Sequence, residues 1–369
     1  MIEADFMREA LLLARNAQGR TSPNPMVGAV LVKEGRIIGA GWHRKAGEPH
    51  AEIHALRMAG DLAKGATLYV TLEPCSHRGR TGPCAKALVR AGIRRAVIAM
   101  KDPNPKVAGR GIHLLQEAGI EVSLGLCEAE ARALNRAYLT WIEKQRPYVL
   151  LKMAMTLDGK IATGKGTARA ITGEAAQKKV HHWRDCFDAI LVGLGTVLAD
   201  DPRLTTRGLD GGKNPVRIVL DSKARIPLTA KILQDGAAPT WIAVTKSAPP
   251  ARVQALQATG AEVLQVGDGA RVDLPFLLKT LAQRDILSLL VEGGGETHFS
   301  FLRAGLFDRV AAFIAPKIAG GRDSLTAVEG DGFGSLAEAL PLTNLRAEPL
   351  GEDILLTADA KEHQKESRE

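Results

Sequence analysis

Short apolar runs alternate with polar segments along the first third of the chain, and turn-forming residues separate them. Residues 27–33 and 36–42 are two apolar runs joined by the tight turn Lys33-Glu34-Gly35, which predicts a β-hairpin. An amphipathic helix with an acidic start is expected before it, within residues 1–17. After the hairpin we expect helices at 51–58 and 84–90 and one ending near Gly119, and strands at 66–72, 95–100 and 121–126. This alternation predicts an α/β domain.

A second pattern begins at Pro147, where the helical run 128–145 has ended, because proline does not continue a helix and disfavours helix just before it. Seven apolar runs are then predicted as strands: 148–155, 189–194, 216–220, 241–244, 262–266, 286–291 and 309–315. Helices are predicted at 173–186 and 273–284. The expected division is therefore two α/β domains, 1–146 and 147–360, followed by a charged tail at 361–369.

Composition narrows the class of protein. A length of 369 residues is too much for one ordinary core, which agrees with two domains. No apolar run is long enough to span a membrane, and the N-terminus lacks the features of a signal peptide, so a cytoplasmic enzyme is expected. The net charge of +8 favours an anionic partner. Because only 4% of residues are aromatic, a phosphorylated small molecule fits better than a nucleic acid.

The motif with the clearest chemistry is His50-Ala51-Glu52 followed by Cys75 and Cys84. Imidazole and thiolate are ligands that zinc prefers, and a catalytic zinc site keeps three protein ligands and one open position. Zinc lowers the pKa of its bound water, and Glu52 would then carry the proton to a departing amine. Cys84 should open a helix whose N-terminus favours its thiolate. Zinc nucleobase deaminases usually place two residues between their cysteines, whereas eight lie between these.

The cysteine-bearing segment TLEPCSHRGRTGPC, with SPNPMVGAV at 22–30 and the later Gly41-Trp42-His43, resembles the deaminase half of the bacterial bifunctional riboflavin-biosynthesis enzymes. The resemblance implies a cytidine-deaminase-like fold with three α/β/α layers. It also implies that Asn24 contacts a pyrimidine ring. The residues that would hold the phosphate on the ribose of the substrate are His77, Arg80 and Thr81.

The second half offers weaker chemical signals on its own. A glycine-rich turn follows the predicted strand 286–291 and leads into a helix, an arrangement that can receive a phosphate. The spacing G-x-G-x-x-G is absent, so the fingerprint of a Rossmann dinucleotide site is not met. Asp200 and Asp201 are expected in a loop after an apolar strand. The remaining cysteines, Cys127 and Cys186, have no partners at metal-site spacing and are expected to be packing residues.

Four segments of this half, LKMAMTLDGKIA, AITGEAA, VHHWRDCFDAILVGLGTVLADDPRLTTR and VEGGGETHFSFL, resemble the riboflavin-pathway reductase, which shares the fold of dihydrofolate reductase. The resemblance implies NADPH as cofactor and a ribosylamino-pyrimidinedione phosphate as substrate. The implied substrate-binding residues are Lys152, Arg184, Leu204, Arg207 and Glu292. The implied cofactor-binding residues are Ala154, Ala168, Ala170, Thr196, Asp200, Ser222, Gly294, Gly295, Glu296, Thr297, His298, Phe299 and Ser300. Ala168 and Ala170 stand where related reductases often carry serine and tryptophan.

Two other functions are compatible with parts of the pattern. A nucleic-acid deaminase acting on transfer RNA uses the same zinc chemistry and suits a basic protein. A structural zinc module would need a fourth protein ligand, for which His43 is a candidate. The bifunctional enzyme is the preferred interpretation, as a homodimer or homotetramer that binds neither nucleic acid nor membranes.

Overall fold

The computed structural model of the chain describes residues 2–76, 82–162 and 171–361. The chain forms two compact units, residues 1–146 and residues 147–369, and each is described by itself below. None of the helices within the described ranges combines the length and the apolar character that crossing a membrane requires.

The first unit is built on one five-stranded sheet with the strand order β2-β1-β3-β4-β5. The strands are β1 (Gly28–Lys33), β2 (Arg36–Trp42), β3 (Thr67–Val70), β4 (Arg95–Ile98) and β5 (Glu121–Leu124). The α-helices are α1 (Glu3–Arg15), α2 (Ala51–Ala59), α3 (Cys84–Arg90), α4 (Arg110–Glu117), α5 (Glu128–Leu134) and α6 (Arg136–Lys144). The predicted hairpin is β1–β2, which pair antiparallel, whereas β3, β4 and β5 are parallel.

Glycines bring helices of the first unit directly onto the sheet. A Cβ at Gly28 would collide with the backbone of Ala10 in α1, and one at Gly41 would meet α2 at His54. Gly41 pairs with Ala29, the residue after Gly28, and successive residues of a strand face opposite sides of the sheet. Helices α1 and α2 therefore cover opposite faces, which confirms the expected α/β/α layering.

The helical run predicted over 128–145 is two helices rather than one. The break is at Asn135, which is buried and outside both helices. Its side chain donates to the carbonyl of Met26 at 2.9 Å and accepts the N–H of Met26 at 2.8 Å. The pairing with a distant segment decides the break, and no local pattern in the sequence could signal it.

The second unit contains one nine-stranded sheet with the order β10-β9-β8-β7-β11-β6-β12-β14-β13. Its strands are β6 (Tyr148–Thr156), β7 (Ala189–Gly193), β8 (Val216–Leu220), β9 (Thr240–Val244), β10 (Glu262–Gln265), β11 (Ser288–Val291), β12 (Arg309–Ala315), β13 (Leu342–Leu350) and β14 (Asp353–Ala360). Its helices are α7 (Glu174–Cys186), α8 (Leu194–Asp200), α9 (Lys231–Gln234), α10 (Pro250–Ala258), α11 (Leu274–Ala282) and α12 (Gly295–Arg303). All seven predicted strands are confirmed as β6 to β12.

Two features of the second unit differ from the sequence expectation. The segment expected to be a loop around Asp200 is largely helix α8, which ends at that residue. Strands β13 and β14 were not predicted. They form an antiparallel hairpin that pairs with β12 through β14, and most side chains of β13 are exposed. Because β13 has no buried face, it carries no alternation of apolar and polar residues to detect.

Candidate functional site

Three residues from different elements of the first unit converge on one point. His50 precedes α2, Cys75 lies in the loop after β3, and Cys84 opens α3. His50 Nδ1 is 3.5 Å from Cys75 Sγ and 3.3 Å from Cys84 Sγ. Zinc bonds of about 2.0–2.1 Å to nitrogen and about 2.3 Å to sulfur would hold tetrahedral ligands about 3.5 Å apart. The donor set therefore fits a zinc ion.

The two thiols lie together at the start of α3. The backbone N–H of Cys84, at the start of α3, donates to Cys75 Sγ at 3.3 Å. The Cys75 thiolate also accepts hydrogen bonds from the Cys84 thiol and from His50. These bonds and the Cys84 N–H lower the pKa of Cys75 to about 4. The same pairing and burial raise the pKa of Cys84. The N-terminus of α3 therefore contacts Cys75 through the Cys84 N–H, and Cys84 is the first residue of that helix, as expected.

Glu52 lies in the first turn of α2, two residues after His50, and its side chain is buried. Burial, with the neighbouring Cys75 charge, raises the pKa of Glu52 to about 7. Its Oε2 atom has no hydrogen-bond partner among the described residues. A buried carboxylate with a free oxygen and a near-neutral pKa, beside a metal site but outside the ligand set, is suited to accept and return a proton.

His43 is buried beside the metal ligands and is occupied by other contacts. Its ring lies 5.1 Å from that of His50, centroid to centroid. His43 Nδ1 is 3.2 Å from the carbonyl oxygen of Pro49, and Nε2 is 3.1 Å from Asn24 Nδ2. Because a carbonyl oxygen only accepts, Nδ1 carries the proton and Nε2 of the neutral ring accepts from Asn24. Burial lowers the pKa of His43, which favours that neutral ring.

This arrangement has two consequences for the sequence interpretation. With both nitrogens engaged by Pro49 and Asn24, His43 does not provide a fourth ligand for a closed structural zinc site. It also turns the amide nitrogen of Asn24 towards itself, so that the amide oxygen points away as an acceptor. The predicted phosphate contacts His77, Arg80 and Thr81 lie outside the described residues and remain predictions.

The second unit brings three predicted substrate residues together in a buried ion cluster. Arg184 of α7 donates to both oxygens of Glu292, each at 2.8 Å, and Lys152 Nζ of β6 is 3.7 Å from Glu292 Oε2. The side chain of Glu292, which follows β11, is only 5% exposed. Burial alone would raise its pKa, but Arg184 and Lys152 outweigh this and lower the pKa of Glu292 to about 2. The carboxylate is therefore ionised and holds two cations in place.

The segment with the other predicted substrate residues adjoins this cluster. Arg184 Nη1 donates to the carbonyl of Thr205 at 3.1 Å. Along the chain, Thr205 lies between Leu204, which is buried, and Arg207, which is exposed. Sequence reasoning missed His181, one helical turn before Arg184. Its Nδ1 atom is buried and has no partner in the described part of the chain, and burial with the charges of Arg184 and Arg207 lowers its pKa.

The predicted cofactor residues lie at neighbouring strand ends. Strands β7 and β11 are adjacent and parallel, so the turns that follow them, into α8 and α12, lie side by side. Thr196 of α8 lies against the turn between β11 and α12. A Cβ atom added at Gly293 would be 3.0 Å from the Thr196 hydroxyl, and one added at Gly294 would be 3.5 Å from it. Gly294 has a positive φ of 68°, which glycine adopts without strain. The turn precedes the N-terminus of α12, a position where backbone N–H groups can bind a phosphate.

The remaining predicted cofactor residues differ in their surroundings. Asp200 is exposed at the end of α8, and Ser222 follows β8, where its hydroxyl accepts the N–H of Val272. His298 and Phe299 are buried and pack towards the segment 327–333, where His298 Nδ1 is 2.9 Å from the carbonyl oxygen of Ala327. The roles of the other cofactor residues remain predictions: these are Ala154 in β6, and Gly295, Glu296, Thr297 and Ser300 in α12. Ala168 and Ala170 lie outside the described residues.

Cys186 is not isolated, contrary to the expectation of simple packing. Its sulfur is 3.7 Å from His182 Nε2, one turn earlier on α7, and buried Asp185 lies beside them. The Asp185 carboxylate also accepts the N–H of Lys213 at 2.7 Å.

Comparison with known proteins agrees with the two sites. Residues 2–100 match the cytidine and deoxycytidylate deaminase zinc-binding region, and residues 147–356 match the RibD C-terminal domain. The riboflavin biosynthesis protein RibD of Aquifex aeolicus is 48% identical over 356 residues, covering 96% of this chain and 98% of that protein. The chain belongs to the RibD family.

Other members of the RibD family support the assignment along the full length. RibD of Escherichia coli is 42% identical and covers 95% of this chain and 97% of its own length. The solved structure of Acinetobacter baumannii RibD, form 1, matches with a TM-score of 0.89 at 40% identity, over 97% of this chain and 99% of that one. A Thermotoga maritima structure described as a diaminohydroxyphosphoribosylaminopyrimidine deaminase and 5-amino-6-(5-phosphoribosylamino)uracil reductase matches with a TM-score of 0.84 at 36% identity, covering 97% and 98%.

Membership in the RibD family makes this chain a bifunctional deaminase and reductase of riboflavin biosynthesis, with zinc and NADPH as its cofactors. A nucleic-acid deaminase is not favoured, because the second unit belongs to the family as well.

Proposed function

We propose that the first unit deaminates a diaminopyrimidine ribosylamine phosphate and that the second unit reduces the ribosyl chain of the product to ribityl with NADPH. The observation that carries the proposal is the His50, Cys75 and Cys84 set with the buried, partly unpaired carboxylate of Glu52 beside it. The name of the Thermotoga maritima relative supports this pair of reactions.

In the deaminase unit, His50, Cys75 and Cys84 would hold zinc, which supplies a Lewis acid that activates water at neutral pH. Glu52 accepts the proton of the attacking water and returns it to the leaving amine, a role that suits a buried carboxylate with one unpaired oxygen. Asn24, held by His43, presents its amide oxygen to a ring donor such as an amine or N–H. His77, Arg80 and Thr81 bind the phosphate in this proposal, as the family resemblance implies.

In the reductase unit, the turns after β7 and β11 would hold NADPH, which supplies the hydride. Lys152 and Arg184, held by Glu292, form a cationic wall for the substrate, with Leu204 and Arg207 on the segment that Arg184 contacts. Arg207 is exposed and free to approach a phosphate, whereas three N–H groups of Arg184 are already used within the protein. Arg207 is therefore the better candidate for the main phosphate contact.

The proposal also covers organisation and setting. The deaminase is residues 1–146 and the reductase is residues 147–360, a division that agrees with the two compact units. We propose a homodimer or homotetramer in the cytoplasm that binds no nucleic acid. No disulfide joins the cysteines of the described residues, as is usual in a reducing compartment. Sedimentation of the purified protein tests the assembly. A protein that binds no polyanion should show no heparin retention with a steep salt dependence.

The decisive experiment supplies the diaminopyrimidine ribosyl phosphate and NADPH to zinc-loaded protein and records ammonia release and NADPH loss together. Wild type should show both. Glu52→Gln, which keeps the size of the side chain but not its base, should show neither until it is given the deaminated intermediate, and should then oxidise NADPH normally. Ammonia without NADPH loss would remove the second activity from the proposal, and no ammonia from a zinc-loaded protein would refute the substrate assignment.

A further inference from the structure

Glu73 is a buried carboxylate in the loop that carries the zinc ligand Cys75. It immediately follows the turn after β3 and is 4% exposed. Both of its oxygens are fully used by backbone donors. Oε2 accepts the N–H groups of Asp102 and Gly109 at 3.2 and 3.0 Å, and Oε1 accepts those of Gly111 and Ile112 at 2.9 and 3.3 Å.

Among the described residues, backbone N–H groups rather than a cation face the carboxylate of Glu73. No ion pair with Glu73 is present within the described ranges, so four N–H dipoles replace the water that a carboxylate needs. Two of those donors, Gly111 and Ile112, belong to the first turn of α4, where the helix dipole also favours a negative charge. The carboxylate thus ties the segment 102–112 to the chain immediately before the metal ligand.

A second contact joins the same two segments and involves no charge. A Cβ at Gly111 would collide with the carbonyl oxygen of Pro74, so α4 packs directly on the peptide between Glu73 and Cys75. The carbonyl of Cys75 in turn accepts the N–H of Ala85 in α3, at 3.1 Å. The backbone around Cys75 is therefore held by α4 on one side and by α3, which begins with Cys84, on the other.

We infer that Glu73 is a positioning residue of the zinc site, which fixes the Pro74–Cys75 backbone against α4 and so sets the direction of the Cys75 thiolate. The inference rests on the proposed function only in taking His50, Cys75 and Cys84 as metal ligands. Residues that orient metal ligands without touching the metal typically contribute about 10–100-fold to metal affinity.

Two substitutions disturb this contact by different means. Glu73→Gln keeps the shape but turns an amide NH₂ group towards two of the four N–H donors, so one pair of hydrogen bonds is replaced by repulsion. Gly111→Ala leaves Glu73 intact but pushes α4 away from the Pro74 carbonyl. Leu115→Ala is the matched control, because Leu115 is fully buried on the same helix and its loss weakens α4 in the apolar core.

The experiment uses the full chain loaded with Co²⁺ in place of zinc, because the thiolate-to-cobalt absorption reports ligand geometry without any substrate. Glu73→Gln and Gly111→Ala should shift or weaken that spectrum. When the same variants are loaded with zinc instead, they should release it to a chelator about 10–100-fold faster than wild type. Leu115→Ala, with its melting temperature lowered to a similar degree, should keep the wild-type spectrum. NADPH oxidation with the deaminated intermediate should be unchanged in all three.

Opposite results would overturn the inference. If Leu115→Ala alters the spectrum as much as Glu73→Gln does, the effect is general loosening of the first unit. An unchanged spectrum in Glu73→Gln refutes a positioning role. If Glu73→Gln unfolds the first unit, an unchanged spectrum in Gly111→Ala refutes it instead. Failure of the wild-type protein to bind Co²⁺ with thiolate absorption would instead contradict the proposed metal site itself.

Discussion

One buried carboxylate of the second unit, Glu292, holds two cationic side chains. Glu292 holds Arg184 through two hydrogen bonds and Lys152 at longer range, and the three side chains are between 5% and 14% exposed. Removing one member of a buried ion pair leaves the partner charge without compensation, which costs more than the pair itself contributes. The cluster is therefore sensitive to the loss of any single member.

Glu292→Gln is expected to lower the free energy of unfolding of the second unit by about 3–5 kcal/mol at pH 7. The pKa of Glu292 is depressed from 4.5 to about 2, so its stabilising contribution is complete above pH 4.5 and is lost as the pH falls towards 2. Denaturant unfolding between pH 2 and 7 measures this. The variant should converge with wild type at the acidic end, and a constant difference across that range would contradict the assignment.

His43→Ala is expected to raise the KM of the deaminase about tenfold, because Asn24 loses the acceptor that sets the orientation of its amide. Zinc content should stay at the wild-type level, since His43 is not a ligand. His113→Ala, an exposed histidine of the same unit, is the control. Loss of zinc in His43→Ala would show that the ring serves the metal rather than Asn24.

The site was only partly predictable from single residues. His50, Glu52, Cys75 and Cys84 could be found because the chemistry of zinc demands those residue types in a short stretch of sequence. The pairing of Arg184 with Glu292 joins residues 108 positions apart, and nothing local in the sequence indicates it. The roles of His43, Glu73 and Asn135 depend likewise on contacts with backbone from another segment.

At the scale of elements, helix α2 is the support of the deaminase site. It begins just after His50, carries Glu52 in its first turn and lies directly on β2, where Gly39 and Gly41 leave no side chain between strand and helix. The position of both functional residues is thus set by how closely α2 approaches the sheet.

Gly41→Ala should lower the free energy of unfolding of the first unit by about 1–3 kcal/mol, because its methyl group would force α2 off the strand. Deaminase activity should fall further than stability alone explains, since His50 and Glu52 move with the helix. Thermal unfolding and ammonia release check this. Arg36→Ala, exposed on the same strand, should change the free energy of unfolding by less than about 0.5 kcal/mol.

The elements that could be predicted are those with one consistently buried face. The residues of β6, β7, β8, β9 and β11 are buried along most of each strand, and burial of successive residues produces the continuous apolar stretches that identify these strands. β13 escapes prediction because its side chains are largely exposed, and α8 because it is a short helix directly after a strand.

For the molecule as a whole, the two activities depend on different cofactors held in different units. The zinc ligands all belong to residues 1–146, and the proposed reductase residues all belong to residues 147–369. Each activity should therefore respond to its own cofactor.

Removing zinc with a chelator should abolish ammonia release while NADPH oxidation of the deaminated intermediate continues. It should also lower the free energy of unfolding of the first unit, by about 3 kcal/mol relative to protein in free zinc at a hundred times its Kd. Zinc analysis and the two assays on one sample measure this. Parallel loss of both activities would contradict the assignment of zinc to the first unit.

The strand order of the second unit has a consequence for synthesis on the ribosome. β6 is the first strand of that unit to be synthesised, yet its neighbours in the sheet are β11 and β12. Val149 therefore cannot pair with Leu289, nor Leu150 with Arg309, until those later strands have been translated. At roughly 5–20 residues per second, the two edges of β6 stay unpaired for about 7–30 seconds after translation of the strand. We expect chaperones to bind the nascent chain during that interval. Slower translation between β6 and β12 should lengthen the interval and lower the yield of folded enzyme.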